Sequence, residues 1–183
     1  ILTDNGGSVL LYKTTGFEIG DEVTVSGTIS SYNCGFQIGT AGLTIEKTGT
    51  TTVTYPTAVE LTGAMMDELL TTRTTDEYAQ FVKIVGTVAI SGNYYNLNVD
   101  GARTAAGSFY GLTDEQKAVL VDGEKTTIYG YFVSISKSGG APKYINFITT
   151  HINETPAVAN NYTSVLGTAV LNDAVEVKGY ISA

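Results

Sequence analysis

A chain of 183 residues that is 43% apolar can build one large packed core or two small ones. Its net charge of −8 opposes a phosphate backbone and an anionic lipid surface, so neither nucleic acid nor membrane docking is expected. One cysteine, Cys34, excludes an intrachain disulfide, one histidine leaves zinc without a second imidazole, and no apolar run approaches the length of a membrane span.

In chain order the strong signals are strands. The chain opens on Ile1-Leu2-Thr3-Asp4, which reads as the inside of a strand. The sequence is therefore expected to be a mature or excised piece, with any targeting signal upstream. Residues 1–13 read as strand, Asn-Gly-Gly turn, strand. Gly20-Asp21-Glu22 leads into VTVSGTIS (23–30), Tyr32-Asn33-Cys34-Gly35 reads as a turn, and FQIGTAGLTIE (36–46) as a further strand. A linker over 51–80 carries a helix at 63–71, capped by Thr62, with Met65, Met66, Leu69 and Leu70 as its apolar side. Strands follow at 81–90 and 93–99, and a weaker one over 102–111. Thr113-Asp114-Glu115-Gln116 is a capping box, and Ala118, Val119 and Leu120 give its short helix an apolar face. A strand at 126–136, a loop over SKSGGAPK (136–143) and a strand at 144–152 complete residues 81–153. A second linker, 154–173, carries a helix at 164–171 capped by Thr163, with Val165, Leu166, Ala169 and Val170 on its apolar side. The tail 174–183 is again a strand.

The order in 81–153 is β-β-β-α-β-β, that of an OB-like Greek-key barrel with a helix between strands three and four. Residues 1–50 repeat strands two to five of that plan, without a clear helix and without strand one. Gly27 falls at the place of Gly130. Strand one is found at the other end of the chain. VEVKGYISA (175–183) aligns with VKIVGTVAI (82–90) without a gap, placing Val175 on Val82, Val177 on Ile84, Gly179 on Gly86 and Ile181 on Val88. A glycine suits a first strand that must coil sharply to pair on both sides. The fold class expected is all-β with short helices: two OB-like Greek-key barrels, the first completed by the C-terminal strand of its own or a neighbouring subunit. A helix-plus-barrel unit thus occurs twice, with the cut inside one barrel.

GDEVTVSGTISSYN, FVKIVGTVAISGNYYNLNVDG and DGEKTTIYGYFVSIS resemble the OB-fold modules of secreted and surface proteins of Bacteroidota, and the resemblance covers most of the chain. It implies an extracellular or cell-surface setting, often in tandem arrays or beside hydrolases. It carries over no catalytic residue.

No constellation of catalytic type is present, and neither enzyme activity nor a cofactor is expected. His151 reads as an incidental surface histidine near Glu154. Asp4-Asn5-Gly6-Gly7 and Asn98-Val99-Asp100-Gly101 read as hairpin turns, since neither has the spaced oxygen ligands of a calcium loop. Tyr94, Tyr95, Tyr129, Tyr131 and Phe132 could stack bases, but few lysines or arginines accompany them, so they read as barrel core and tyrosine surface. Asn153 and Asn161 head N-glycosylation sequons, which makes a glycan a candidate partner.

A barrel without strand one exposes its neighbours' edges and an unfilled core. The assembly strand is expected to be Val175, Val177, Gly179 and Ile181, and the acceptor groove Leu2, Val9, Leu11, Val23, Val25 and Ile29. Filled from another copy, the groove gives a head-to-tail homopolymer, a pilus-like filament formed by donor-strand complementation. The second expectation is a binding, adhesion or spacer module from a tandem array.

Overall fold

The computed structural model describes residues 1–4, 7–157 and 174–183, with backbone alone at 174–178. In chain order the elements are β1 (Leu2–Thr3), β2 (Ser8–Leu11), β3 (Asp21–Tyr32), β4 (Gly35–Ile38), β5 (Thr44–Thr50), β6 (Val59–Leu61), α1 (Gly63–Thr72), β7 (Gln80–Ser91), β8 (Tyr94–Asn98), β9 (Ala106–Phe109), α2 (Asp114–Val119), β10 (Lys125–Ser138), β11 (Ala141–Ile152) and β12 (Ala174–Ile181). Among the described residues the fold is all-β with two short helices, its strands forming two sheets of six.

The second sheet runs β10-β11-β9-β8-β7-β6, and β10 also pairs with β7, which closes five strands into a barrel. The β9–β11 pair is parallel and the other barrel pairs are antiparallel. α2 lies between the third and fourth strands, as the sequence order requires. Alternating inward residues, among them Val82, Ile84, Val88, Leu97, Ile128, Ile145 and Phe147, make the core. Short β6 pairs parallel to β7 outside the barrel, so the linker adds a strand that the sequence pattern does not signal.

The first sheet has the same plan, in the order β12-β1-β2-β4-β3-β5, with β12 returning to β3. Its β2–β4 pair is parallel, the counterpart of β9–β11. The expected single strand over 36–46 is broken in two. β4 and β5 both pair with β3, and the chain between them turns through Gly42 at a φ of 69°.

Caps and turns follow local chemistry. The Thr62 hydroxyl accepts from the Met65 amide at the start of α1, and Thr113 and Gln116 exchange both bonds of the capping box on α2. On α1 only Met66 of the four expected apolar residues is fully buried; Leu69 and Leu70 pack partly, and Met65 is exposed. The apolar face expected on α2 does not form. Val119 is 60% exposed, and only Leu120, just past the helix end, is buried. The loop expected over 136–143 is a two-residue hairpin turn. Gly139 and Gly140 both hold positive φ, which matches the twist of the strands, so pairing continues up to Ser138 and Ala141. Asn33 and Cys34 form a similar turn, at φ 51° and 64°.

The two barrels share a third core. Ile1, Tyr55, Phe81, Tyr131 and Val133 are buried together, with Leu10, Ile148 and Ala183 packed against them. The Ile135 amide donates to the Asn33 carbonyl at 2.8 Å, and the Ala79 amide to the Ser8 carbonyl at 2.9 Å. Arg73, from the linker, donates to the carbonyls of Cys34 and Glu77 while its guanidinium lies 4.2 Å over the Phe132 ring.

Candidate functional site: the strand-one groove

β12 lies between β1 and β3, where strand one of the barrel belongs. Its register on β3 pairs Val175 with Gly27, Val177 with Val25, Gly179 with Val23 and Tyr180 with Glu22. In the second barrel β7 pairs with β10 as Val82 with Gly130, Ile84 with Ile128, Gly86 with Thr126 and Thr87 with Lys125. These are the same pairs under the sequence alignment. A one-residue slip would turn every side chain to the wrong face, so the agreement is specific.

All six expected groove residues meet in one cluster. Leu2, Val9, Leu11, Val23, Val25 and Ile29 are buried together with Ile181 of the tail. Ile38 belongs to the same cluster, and Phe17, Phe36, Leu43, Ile45 and Tyr78 pack against it; strand alternation alone does not single these out. Val175 and Val177 are placed by their backbone pairing.

Gly179 has a sharper role than relief of a bend. A Cβ there would lie 2.3 Å from the Thr3 carbonyl oxygen of β1. At Gly86 it would lie 2.6 Å from the Asn98 carbonyl oxygen of β8. In both barrels, strand one passes so close to strand two that a side chain cannot enter.

The end of the tail is held by polar contacts that the sequence reading missed. The Ser182 hydroxyl lies 2.7 Å from that of Thr3, which is 2.9 Å from the Ser8 hydroxyl and 3.4 Å from that of Tyr131. The Tyr55 hydroxyl donates to the Ser182 carbonyl at 3.1 Å, and the Tyr180 hydroxyl to the Thr54 carbonyl at 2.9 Å. Thr3, Ser8, Tyr55, Tyr131 and Ser182 are all buried. Burial, with the neighbouring Tyr131, pushes the Tyr55 phenol up to about 12, so it remains a donor at neutral pH. The Ile1 amine donates to the Ala183 carbonyl, and its burial lowers its pKa to about 5. A signal was present in the sequence. Tyr180 and Ser182 are hydroxyl-bearing departures from β7 in the half of the tail after the matched glycine, where β7 has Thr87 and Ala89.

The other candidates divide. His151 is half-buried, with its ring edge-on to Tyr55 at 5.1 Å, and burial lowers its pKa. Tyr131 and Phe132 are fully buried and Tyr129 packs on the seam, whereas Tyr94 is 75% exposed. Asp4 and Gly7 bond to each other as a hairpin turn does, and Asp100 pairs with Lys125. Among the described residues no cluster of three acidic, histidine or cysteine side chains could hold a metal. Asn153 is exposed at the end of β11, with its side-chain oxygen accepting from the Thr127 amide. Asn161 and the helix expected over 164–171 lie outside the described residues. No family model, curated protein or solved structure matches the chain.

Proposed function

We propose that this chain is a structural protomer of an extracellular, pilus-like filament, joined head to tail by its C-terminal strand. The observation that carries the reading is the position of β12. It follows the whole second barrel in sequence, yet it fills the first barrel in the register that β7 holds within its own. The groove therefore accepts a strand delivered from a distance. In the single chain the tail lies in its own groove. Handing it to a neighbour exchanges identical contacts, so the swap costs little in interaction energy. Residues 153–173 separate the tail from β11, and a segment of that length reaches at most about 70–75 Å. If each copy fills the next, the contact does not close on itself and a filament results. The partner is then another copy of the chain, with no cofactor and no catalytic role. The resemblance to surface modules of Bacteroidota supports the extracellular setting.

The alternative is a binding or spacer unit of a tandem array, possible beside a hydrolase only as an accessory. The buried seam favours it in one respect, since it fixes two barrels as a stiff pair. Electron microscopy and sedimentation of the purified chain separate the two. Filaments that disappear on deletion of residues 174–183 are expected. Monomers at every concentration, with the same oligomeric state when the tail is deleted, would sink the filament reading.

A further inference from the structure

We propose that the first barrel's groove selects this tail over other first-strand segments through a hydroxyl lock, buried at Ser182 and half-buried at Tyr180. The lock is built jointly by β1, β2, the linker and the second barrel. The inference rests on β12 being the strand that fills the groove, and it names what makes that strand the right one.

Backbone pairing and the glycine cannot discriminate. β7 has the same register and the same close approach at Gly86, so any segment of that pattern satisfies the barrel itself. Among its differences from β7, those at 180 and 182 place hydroxyls that reach outside the barrel. Ser182 joins the hydroxyls of Thr3 and Ser8, with Tyr131 of the second barrel beside them. Tyr180 reaches the Thr54 carbonyl of the linker. A strand with Thr and Ala at these places, as in β7, would leave the Thr54 carbonyl without its phenol and Thr3 without one hydroxyl partner. Site-built polar groups reject a partner that lacks the matching group, because buried Thr3 and half-buried Thr54 are then less well bonded. Part of the lock comes from the second barrel and the linker, so the selective groove exists only where both barrels are assembled. A lone first barrel would hold strands of this pattern without distinguishing them.

The test uses the whole folded chain. A protease site placed between residues 158 and 173 is cut after folding, which leaves the tail held without a covalent link. A fluorophore on the tail then reports its displacement by excess synthetic peptide AVEVKGYISA. The double variant Tyr180→Thr, Ser182→Ala is expected to be displaced roughly 10- to 100-fold faster than the native tail. Tyr55→Phe, which removes one hydroxyl from the groove wall, should speed release of the native tail by about 3- to 10-fold. Thermal melting of the uncut variants shows that each is folded before the cut. Unchanged displacement in both variants overturns the lock and leaves the strand-filling reading standing. A tail that leaves on cutting, from a body that stays folded and takes up no peptide, overturns the strand-filling reading itself.

Discussion

Gly179 and Gly86 do the same job at equivalent places, so they make paired predictions. Alanine at either position puts a methyl group into a strand-two carbonyl, and the strands must part to hold it. Overpacking of this kind costs about 1–3 kcal/mol. Gly86→Ala should lower the melting temperature of the whole chain. Gly179→Ala should act on the tail, and limited proteolysis should cut within 158–183 before anything else. Asp67 is a different kind of residue. It sits on α1, and its carboxylate accepts from the amides of Arg103, Thr104 and Ala105, at 2.6, 2.9 and 2.7 Å, fixing the loop before β9. Those amide bonds, Ala105 first, hold its pKa below the usual 3.8. A depressed carboxyl stabilises the fold above its unfolded pKa, and that contribution is lost as pH falls through the folded value. His151 is also depressed, by burial, from an ordinary value of 6.5. It favours folding above about pH 6.5, and that contribution is lost as the pH drops and the ring must charge. Stability, followed by denaturation across pH, should therefore fall in two windows, one below 6.5 and one below 3.8. His151→Phe should flatten the first and Asp67→Asn the second.

At the scale of elements, the linker holds the barrels together through Arg73. Its side chain is almost wholly buried, with the Cys34 and Glu77 carbonyls and the Phe132 ring as partners and Glu77 also within ion-pair distance. Arg73→Ala takes one donor from each of two partly buried carbonyls, which keep their backbone amides, and removes the cation from the ring, a loss of about 2–4 kcal/mol. Calorimetry should show the barrels unfolding in separate steps once this staple is gone. The contrast between what was legible and what was not is sharpest here. Strands β3, β7, β8 and β10 announce themselves by alternation, and the helix starts by Thr62 and Thr113, because the forces that set them are local. The matched glycines exposed the split barrel, because close backbone approach leaves a mark at one position in each copy. The seam left no such mark. Nothing near Arg73 in the sequence points to Cys34, and nothing near Tyr55 points to Ser182, since those partners meet only after both barrels have formed. The break between β4 and β5 was within reach. Gly39-Thr40-Ala41-Gly42 is a turn signal inside the run that otherwise matches one strand. α2 misled for the opposite reason: a capping box fixes where a helix starts and says nothing of which face is covered.

For the whole molecule, the sharpest prediction concerns mixing. If tails pass between copies, co-refolding chains that carry Gly179→Val with chains that carry a disabled groove, such as Val25→Asp, should yield mixed pairs in which one competent groove takes one competent tail. Either chain alone should yield none. Native mass spectrometry counts the products.

The distance between β12 and the strands it joins also puts the molecule's parts in order of time. The second barrel closes from residues close together in sequence, whereas the first must wait for a segment that follows everything else. Closing a longer loop adds only a modest entropic cost, about 0.6 kcal/mol per doubling, but it slows the search. During synthesis the N-terminal half is therefore made long before its last strand exists. It must stay open at β1 and β3 until the ribosome has finished the other barrel. A nascent chain stalled short of residue 174 should present the edges of β1 and β3 to any passing strand, which makes premature pairing the characteristic error of this architecture.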